Sequence, residues 1–475
     1  MTGQAPTRWR PLVAVVTGPT ATIVNTPPLG VDPDALHPQR LTADLNADAE
    51  SGSAHPLLPS TGGTAGSRVP AGRLHPLPYR GEADAESQTF LPSAERLFEE
   101  IDTLELDEDG RTRVLGRLAD FAFHRAGAPG GYEAEGERPG VDFFPYGETS
   151  RRAEPGFDAL LRITNTVQEI ADGPADAVQW LEGTPVIEET LYWLSLLVDT
   201  DKPIVGQVAQ RLHRAIGSDG PRNLLDGLGY VVSRAWADAA GADAVGPVLV
   251  TDGVVLAARD VVKSAGRPGG YTAGAYGPVA VIGPIDRQRV EYRPTRRTTS
   301  ASDLRLPALP ASVPGLHGPV RIADGDRRLA PAIAAAVEIV KYGRYGDAEL
   351  EASLVDSRLR ALGDRCDLAG FVLEGLAQNG WATQALEGGL RRAVYSGLPV
   401  VWTGRGVPAA PAGLPPAPFV SADGLPAQKA RMLLLAALLR EGAAPVAADP
   451  DAPTAHEQAA TRDYTARLQQ LFDTH

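Results

Sequence analysis

The chain has 475 residues, 43% of them hydrophobic and 22% charged, with a formal net charge of −14 at pH 7. That length suits two domains of ordinary size, and the acidic balance excludes nucleic acid or an anionic membrane as the main partner. A lone cysteine, Cys366, excludes an intrachain disulfide and a cysteine metal cluster, and the eight histidines are scattered, so neither a metal nor a cofactor is expected.

In chain order, "PLVAVV" (11–16) reads as a buried parallel-type strand, ending in Thr17-Gly18-Pro19-Thr20. Residues 27–92 are rich in Pro, Gly, Ala and Ser without a period and read as a long insertion. A helical pattern resumes at 93–104 with a capping-box start at Ser93. Further on, 158–172 reads as helix, 177–184 as a strand ending in a Gly-Thr turn, 187–199 as helix and 202–208 as strand. A helix over 220–237 follows, with Pro221 in its first turn, and then a strand, an Asp-Gly turn and a second strand over 246–264.

The Arg-rich stretch 292–310 has no period and reads as a linker, after which strands and helices alternate again. The expected fold is therefore α/β: a larger N-terminal domain over 1–295 with a mostly parallel sheet, a linker over 296–312, and a smaller C-terminal domain over 313–475. Sites in such folds lie beyond the carboxyl ends of the strands, where Thr20 and Thr184 fall. The longest late apolar run, "MLLLAALL" (432–439), is far short of the ~18 residues of a membrane span. The N-terminus lacks a signal-peptide pattern, so a cytoplasmic protein is expected. Lysine occurs only at Lys202, Lys263, Lys341 and Lys429 against an arginine-heavy background, which gives each lysine weight.

Several segments together resemble the bacterial L-asparaginase family. "TGPTATI" is similar to that family's TGGTIA, "EGTPVIEETLYWL" to its HGTDTMEET segment, and "GSDGPRNLLDGL" to its SADGPxNL. "GVVLAARDVVKS" resembles RDVTKT, "YGPVAVI" resembles YGPLGYI, and "FVSADGLPAQKARMLLLAAL" follows the family's C-terminal domain. The resemblance implies a flavodoxin-like C-terminal domain and a homodimer or homotetramer with its sites at subunit interfaces. It also implies hydrolysis of a side-chain amide by two threonines and a lysine, which match Thr20, Thr184 and Lys263. A lysine of lowered pKa can take a hydroxyl proton where an arginine cannot. The same residues have plainer readings: Thr20 bonding its own turn, Thr184 capping the next helix, and Lys263 solvated at a strand end.

The departures fall on substrate recognition. The family's aspartate after the second threonine, which binds the α-amino group, is Pro185 here, and the histidine two before that threonine is Glu182. The residues that hold the α-carboxylate and α-amino group fall on Glu148 and Thr149, and the amide of the C-terminal turn on Gln378 or Asn379. No glutamate occurs in 406–424, where the neighbouring subunit's would lie, and the mobile-loop tyrosine is missing near Thr20. A site without those partners rejects a zwitterion. The expected activity is a threonine-dependent amide or acyl hydrolase, or acyl transferase, on a small molecule other than free asparagine, in specialised metabolism. A catalytically inactive binding or assembly module and a true L-asparaginase are the alternatives.

Overall fold

The computed structural model describes residues 9–18, 23–25, 89–91, 104–106, 112–114, 119–125, 156–211, 219–283, 289–324, 327–376, 380–406 and 415–475. Most of the 27–92 insertion and most of the helix expected from Ser93 lie outside these. The short strand Thr89–Leu91 pairs in parallel with Ile23–Asn25, and Leu104–Leu106 pairs antiparallel with Thr112–Val114.

The N-terminal half is built on eight strands: β1 (Leu12–Thr17), β2 (Asp120–Arg125), β3 (Ala177–Leu181), β4 (Ile204–Gln207), β5 (Val248–Thr251), β6 (Val254–Ala257), and then, after a separate hairpin of β7 (Val262–Lys263) and β8 (Tyr271–Thr272), β9 (Ala280–Val281) and β10 (Arg289–Val290). Their order in the sheet is β10-β9-β6-β5-β4-β3-β1-β2, parallel from β5 to β2 and antiparallel from β5 to β10. The parallel part follows from strands alternating with helices α1 (Phe157–Asp172), α2 (Ile187–Leu197) and α3 (Gly220–Ser233). The antiparallel pair β5–β6 turns on Asp252 and Gly253, with φ of 50° and 76°, the left-handed pair that a two-residue hairpin needs.

Strand β1 explains its own composition. Its side chains alternate, so Val13 and Val15 enter a core with Leu224, Leu228 and Val231 of α3. Ala14 and Val16 enter a second core with Ile163 and Val167 of α1 and Leu191 and Leu194 of α2. A strand covered on both faces must be apolar throughout, and each fully buried valine contributes about 1.5–3 kcal/mol. Helix α3 stops at Ser233, four residues earlier than the sequence pattern predicts, because Arg234 turns left-handed (φ 55°). There its guanidinium lies over the rings of Trp9 and Trp236.

In the C-terminal half, β11 (Ser312–Gly315) and β12 (Gly318–Arg321) form a hairpin. Then β13 (Ala335–Lys341), β14 (Leu368–Gly375), β15 (Val400–Gly404) and β16 (Val420–Ser421) form a parallel sheet in chain order. Helices α4 (Ala348–Arg365) and α5 (Gln384–Tyr395) cover one face, where Phe371 and Leu373 point. Helices α6 (Ala427–Glu441) and α7 (Ala455–Thr474) cover the other, where Leu368 and Val372 point.

Helix α2 is buried almost all round because it serves two cores. Ile187, Leu191 and Leu194 face the first sheet, while Tyr192, Trp193 and Leu196 pack with α6. The stretch expected as a linker is packed rather than loose. It forms two 3₁₀ turns at Thr299–Ala301 and Leu306–Ala308, its Leu304 and Leu306 join the core around α2, and Ser302 Oγ donates to Leu196 O at 2.7 Å.

Candidate active site

The carboxyl ends of β1 and β3 meet at one point. Gly18 N donates to Leu181 O at 2.8 Å, joining the two strands as they end. Glu182 is only 1% exposed, with Oε1 accepting from its neighbour's Gly183 N at 3.1 Å. Its carboxyl group lies flat against Gly18, so closely that a Cβ there would stand 2.2 Å from Glu182 Oε2 and 2.7 Å from the Trp180 ring. A larger residue at 18 would have to displace the Glu182 carboxyl or the Trp180 ring, and the approach brings the residue before Pro19 against the residue before Gly183-Thr184.

Thr184 and Pro185 form the turn between β3 and α2, Thr184 half-buried and Pro185 exposed. Helix α2 starts from Val186 as its N-cap, without a side-chain cap, so Thr184 does not cap the helix. The Thr184 carbonyl accepts from Tyr271 Oη at 2.8 Å. Tyr271 is the register partner of Lys263 across the β7–β8 hairpin, and Lys263 N donates to Glu188 Oε2 in the first turn of α2. One bond ties the Thr184 turn to β8 and one ties α2 to β7, so both strands of the hairpin that carries Lys263 are held to this region.

The electrostatics follow from burial. Partial burial pushes the Lys263 ammonium below the usual lysine range, with Glu188 opposing it. Burial raises the Glu188 carboxyl, against the pull of Lys429 and of the Lys263 N–H. Lys429 is fully buried on α6 and donates to the carbonyl oxygens of Ala258 and Arg259, on the chain leading from β6 to β7. Both amide atoms of Gln207, at the end of β4, and the Trp180 indole nitrogen are buried without a hydrogen-bond partner.

Of the residues singled out from sequence, Thr184, Pro185, Glu182 and Lys263 stand together at this end of the sheet. Thr20, Glu148, Thr149, Gln378 and Asn379 lie outside the described residues. Glu188, Tyr271 and Lys429 were not among the site residues read from the sequence. The scarcity of lysine was a signal for Lys429, but nothing local distinguishes Glu188 from Glu189 beside it. Among the described residues, no group of three or more His, Cys, Asp or Glu side chains is placed to hold a metal ion. No helix among them is long and apolar enough to cross a membrane.

The model of the family described as "Asparaginase, N-terminal" matches residues 150–297. L-asparaginase 2 of Escherichia coli is 36% identical over 121 residues, which cover 25% of this chain and 32% of that protein. L-asparaginase 2 of Bacillus subtilis is 28% identical over 289 residues, covering 59% of this chain and 66% of that one. The chain thus spans about a third of the length of the first of these relatives. Among solved structures, the probable cytoplasmic L-asparaginase from Campylobacter jejuni superposes with a TM-score of 0.53 at 20% identity, over 75% of this chain and 92% of that one. The family match and the relatives support membership of the asparaginase family at low identity, and the structural neighbour shares the fold.

Proposed function

We propose that the chain is an asparaginase-like amide or acyl hydrolase, or acyl transferase, acting on a small molecule other than free asparagine. In this reading the hydroxyl of Thr20 attacks the amide carbonyl carbon. Its proton passes by way of Thr184 and Lys263 to the nitrogen that departs as ammonia or amine, and water or an acceptor then takes the acyl group from the threonine oxygen. The observation that carries the reading is that the β7–β8 hairpin bonds the Thr184 turn through Tyr271 Oη and the first turn of α2 through Lys263 N, while burial lowers the Lys263 ammonium.

The departure from free asparagine rests on Pro185. It is exposed in the turn and offers no charge and no N–H where the family's aspartate would meet the α-amino group. Glu182 cannot replace that aspartate as it stands, since its carboxyl is turned into the contact with Gly18. Assembly with further copies of the chain belongs to the same proposal. Tyr345 and Trp381 are 98% and 69% exposed on the C-terminal half, and large apolar side chains in solvent are what an interface uses.

The test is ammonia release by the purified protein from L-asparagine and from a panel of neutral primary amides, alongside mass spectrometry after treatment with a diazo-ketone amide mimic. An adduct on Thr20 or Thr184, lost in the matching Thr→Ala variant, is expected, with turnover of neutral amides above that of asparagine. No adduct and no turnover of any amide would leave a binding module instead. Efficient asparagine hydrolysis would restore the true asparaginase.

A further inference from the structure

Behind the contact between Gly18 and Glu182 lies a cavity of about 120 Å³, walled by Ala159 and Ile163 of α1, Val186 ahead of α2 and Met432 of α6. Its polar lining is Glu182, Glu189, Thr190 and Arg431, with the Thr190 hydroxyl donating to Val186 O at 3.3 Å. Glu182 is a shared wall: one side of its carboxyl meets Gly18, two residues before Thr20, and Thr184 follows it by two residues. All three helices meet the cavity in their first half, beside the carboxyl ends of β1 and β3, the end of a sheet where α/β folds bind ligands.

The lining sets the chemistry. Arg431 and Glu189 already neutralise one another, 2.5 Å apart, while Arg431 Nε is buried without a partner. A ligand carboxylate entering here finds the Arg431 guanidinium engaged by Glu189, and a ligand ammonium is stripped of water against apolar side chains. A neutral amide has a carbonyl that accepts from an N–H and an NH₂ that donates to a carboxylate, and its hydrocarbon part gains from burial. The volume is somewhat less than the ~150 Å³ apolar cavity that admits benzene, which leaves room for about five heavy atoms.

We propose that this cavity is a specificity pocket that takes the compact, uncharged, branched hydrocarbon group of a neutral amide substrate. The inference rests on reading the chain as an amide hydrolase, and it can fail separately from that reading. The chain has two methionines, Met1 and Met432, so [¹³C-methyl]methionine labelling of the full chain places a reporter in the cavity wall and a control at the terminus. Titration with isobutyramide is expected to shift the Met432 signal saturably and leave Met1 in place, while L-asparagine and isobutyrate leave both unmoved. Ala159→Leu fills the cavity and is expected to weaken the response about tenfold.

A Met432 signal unmoved by isobutyramide, or moved equally by L-asparagine, overturns the pocket, and both readings need only the unmutated protein. Ammonia release in the same samples separates the two claims. A shifted Met432 without turnover of any neutral amide keeps the pocket and removes the hydrolase. Turnover of isobutyramide with Met432 unmoved does the reverse.

Discussion

Lys429 Nζ donates to the carbonyl oxygen of Arg259 at 2.9 Å, across 170 residues of sequence. The bond joins α6 of the C-terminal half to the segment that runs from β6 to Lys263. The ammonium also bonds Ala258 O and lies 5.6 Å from the centre of the Tyr192 ring on α2. One buried lysine thus touches the three parts of the chain that frame the candidate site.

Burial pushes the Lys429 ammonium down to about 7, with Glu188 and Asp260 opposing. A lysine depressed in the fold and ordinary when unfolded binds fewer protons in the fold between pH 7 and the usual lysine range, so its burial costs less as pH rises through that window. Stability of the wild type is therefore expected to rise from pH 7 to pH 9 relative to Lys429→Met. Urea midpoints of both proteins at pH 7, 8 and 9 check this, and a difference that stays flat or falls counts against it.

Glu188 holds Lys263 in two ways, by accepting its backbone N–H and by opposing the effect of burial on its ammonium. Glu188→Gln keeps an acceptor and removes the charge. The apparent pKa of Lys263 is expected to fall further below the usual range. Reductive ¹³C-methylation makes this readable by NMR, since the chain has only four lysines. An unchanged or raised value would show that the carboxylate does not act on Lys263.

Tyr271→Phe removes the donor to the Thr184 carbonyl while keeping the buried ring. The expected cost is about 1 kcal/mol, the usual worth of such a bond, with a somewhat larger loss if the carbonyl is left dry. Denaturant unfolding measures it, and a variant as stable as the wild type would mean that the turn does not depend on this tie.

Gly18→Ala places a methyl group against Glu182 and Trp180. Overpacking of this kind costs about 1–3 kcal/mol. Adding Glu182→Ala should return part of that loss, because the two sites share one contact and their effects do not add. Melting temperatures of the two single variants and the double variant decide; strict additivity would rule the contact out.

The strands at 11–16, 177–181 and 204–207 and most helices followed from local pattern, whereas Asp120–Arg125 at the sheet edge and the separate hairpin of Val262–Lys263 with Tyr271–Thr272 did not. Apolar runs such as 11–16 can only be strands covered on both faces, the Asp252-Gly253 pair has the backbone freedom for its turn, and the order of motifs pointed to the family. Pro185 already stood in the sequence as a lost recognition group. Thr20 and the residues at 148, 149, 378 and 379 keep the standing the sequence alone gives them.

What the sequence could not decide is partnership over distance. Glu188 and Glu189 are identical neighbours in one helical turn, yet one accepts from Lys263, 75 residues away, and the other pairs with Arg431, 242 residues away. Lys429 stands just before the apolar run 432–439 of its helix, and it is buried because α2 and the carbonyls of Ala258 and Arg259 close over it. The cavity beside Glu182 exists because the consecutive helices α1 and α2 meet α6, from the other half of the chain, without filling the space between them. Local periodicity fixes which face of an element is apolar; which charges, carbonyls and gaps that face meets depends on packing, and packing decided the electrostatics of this site.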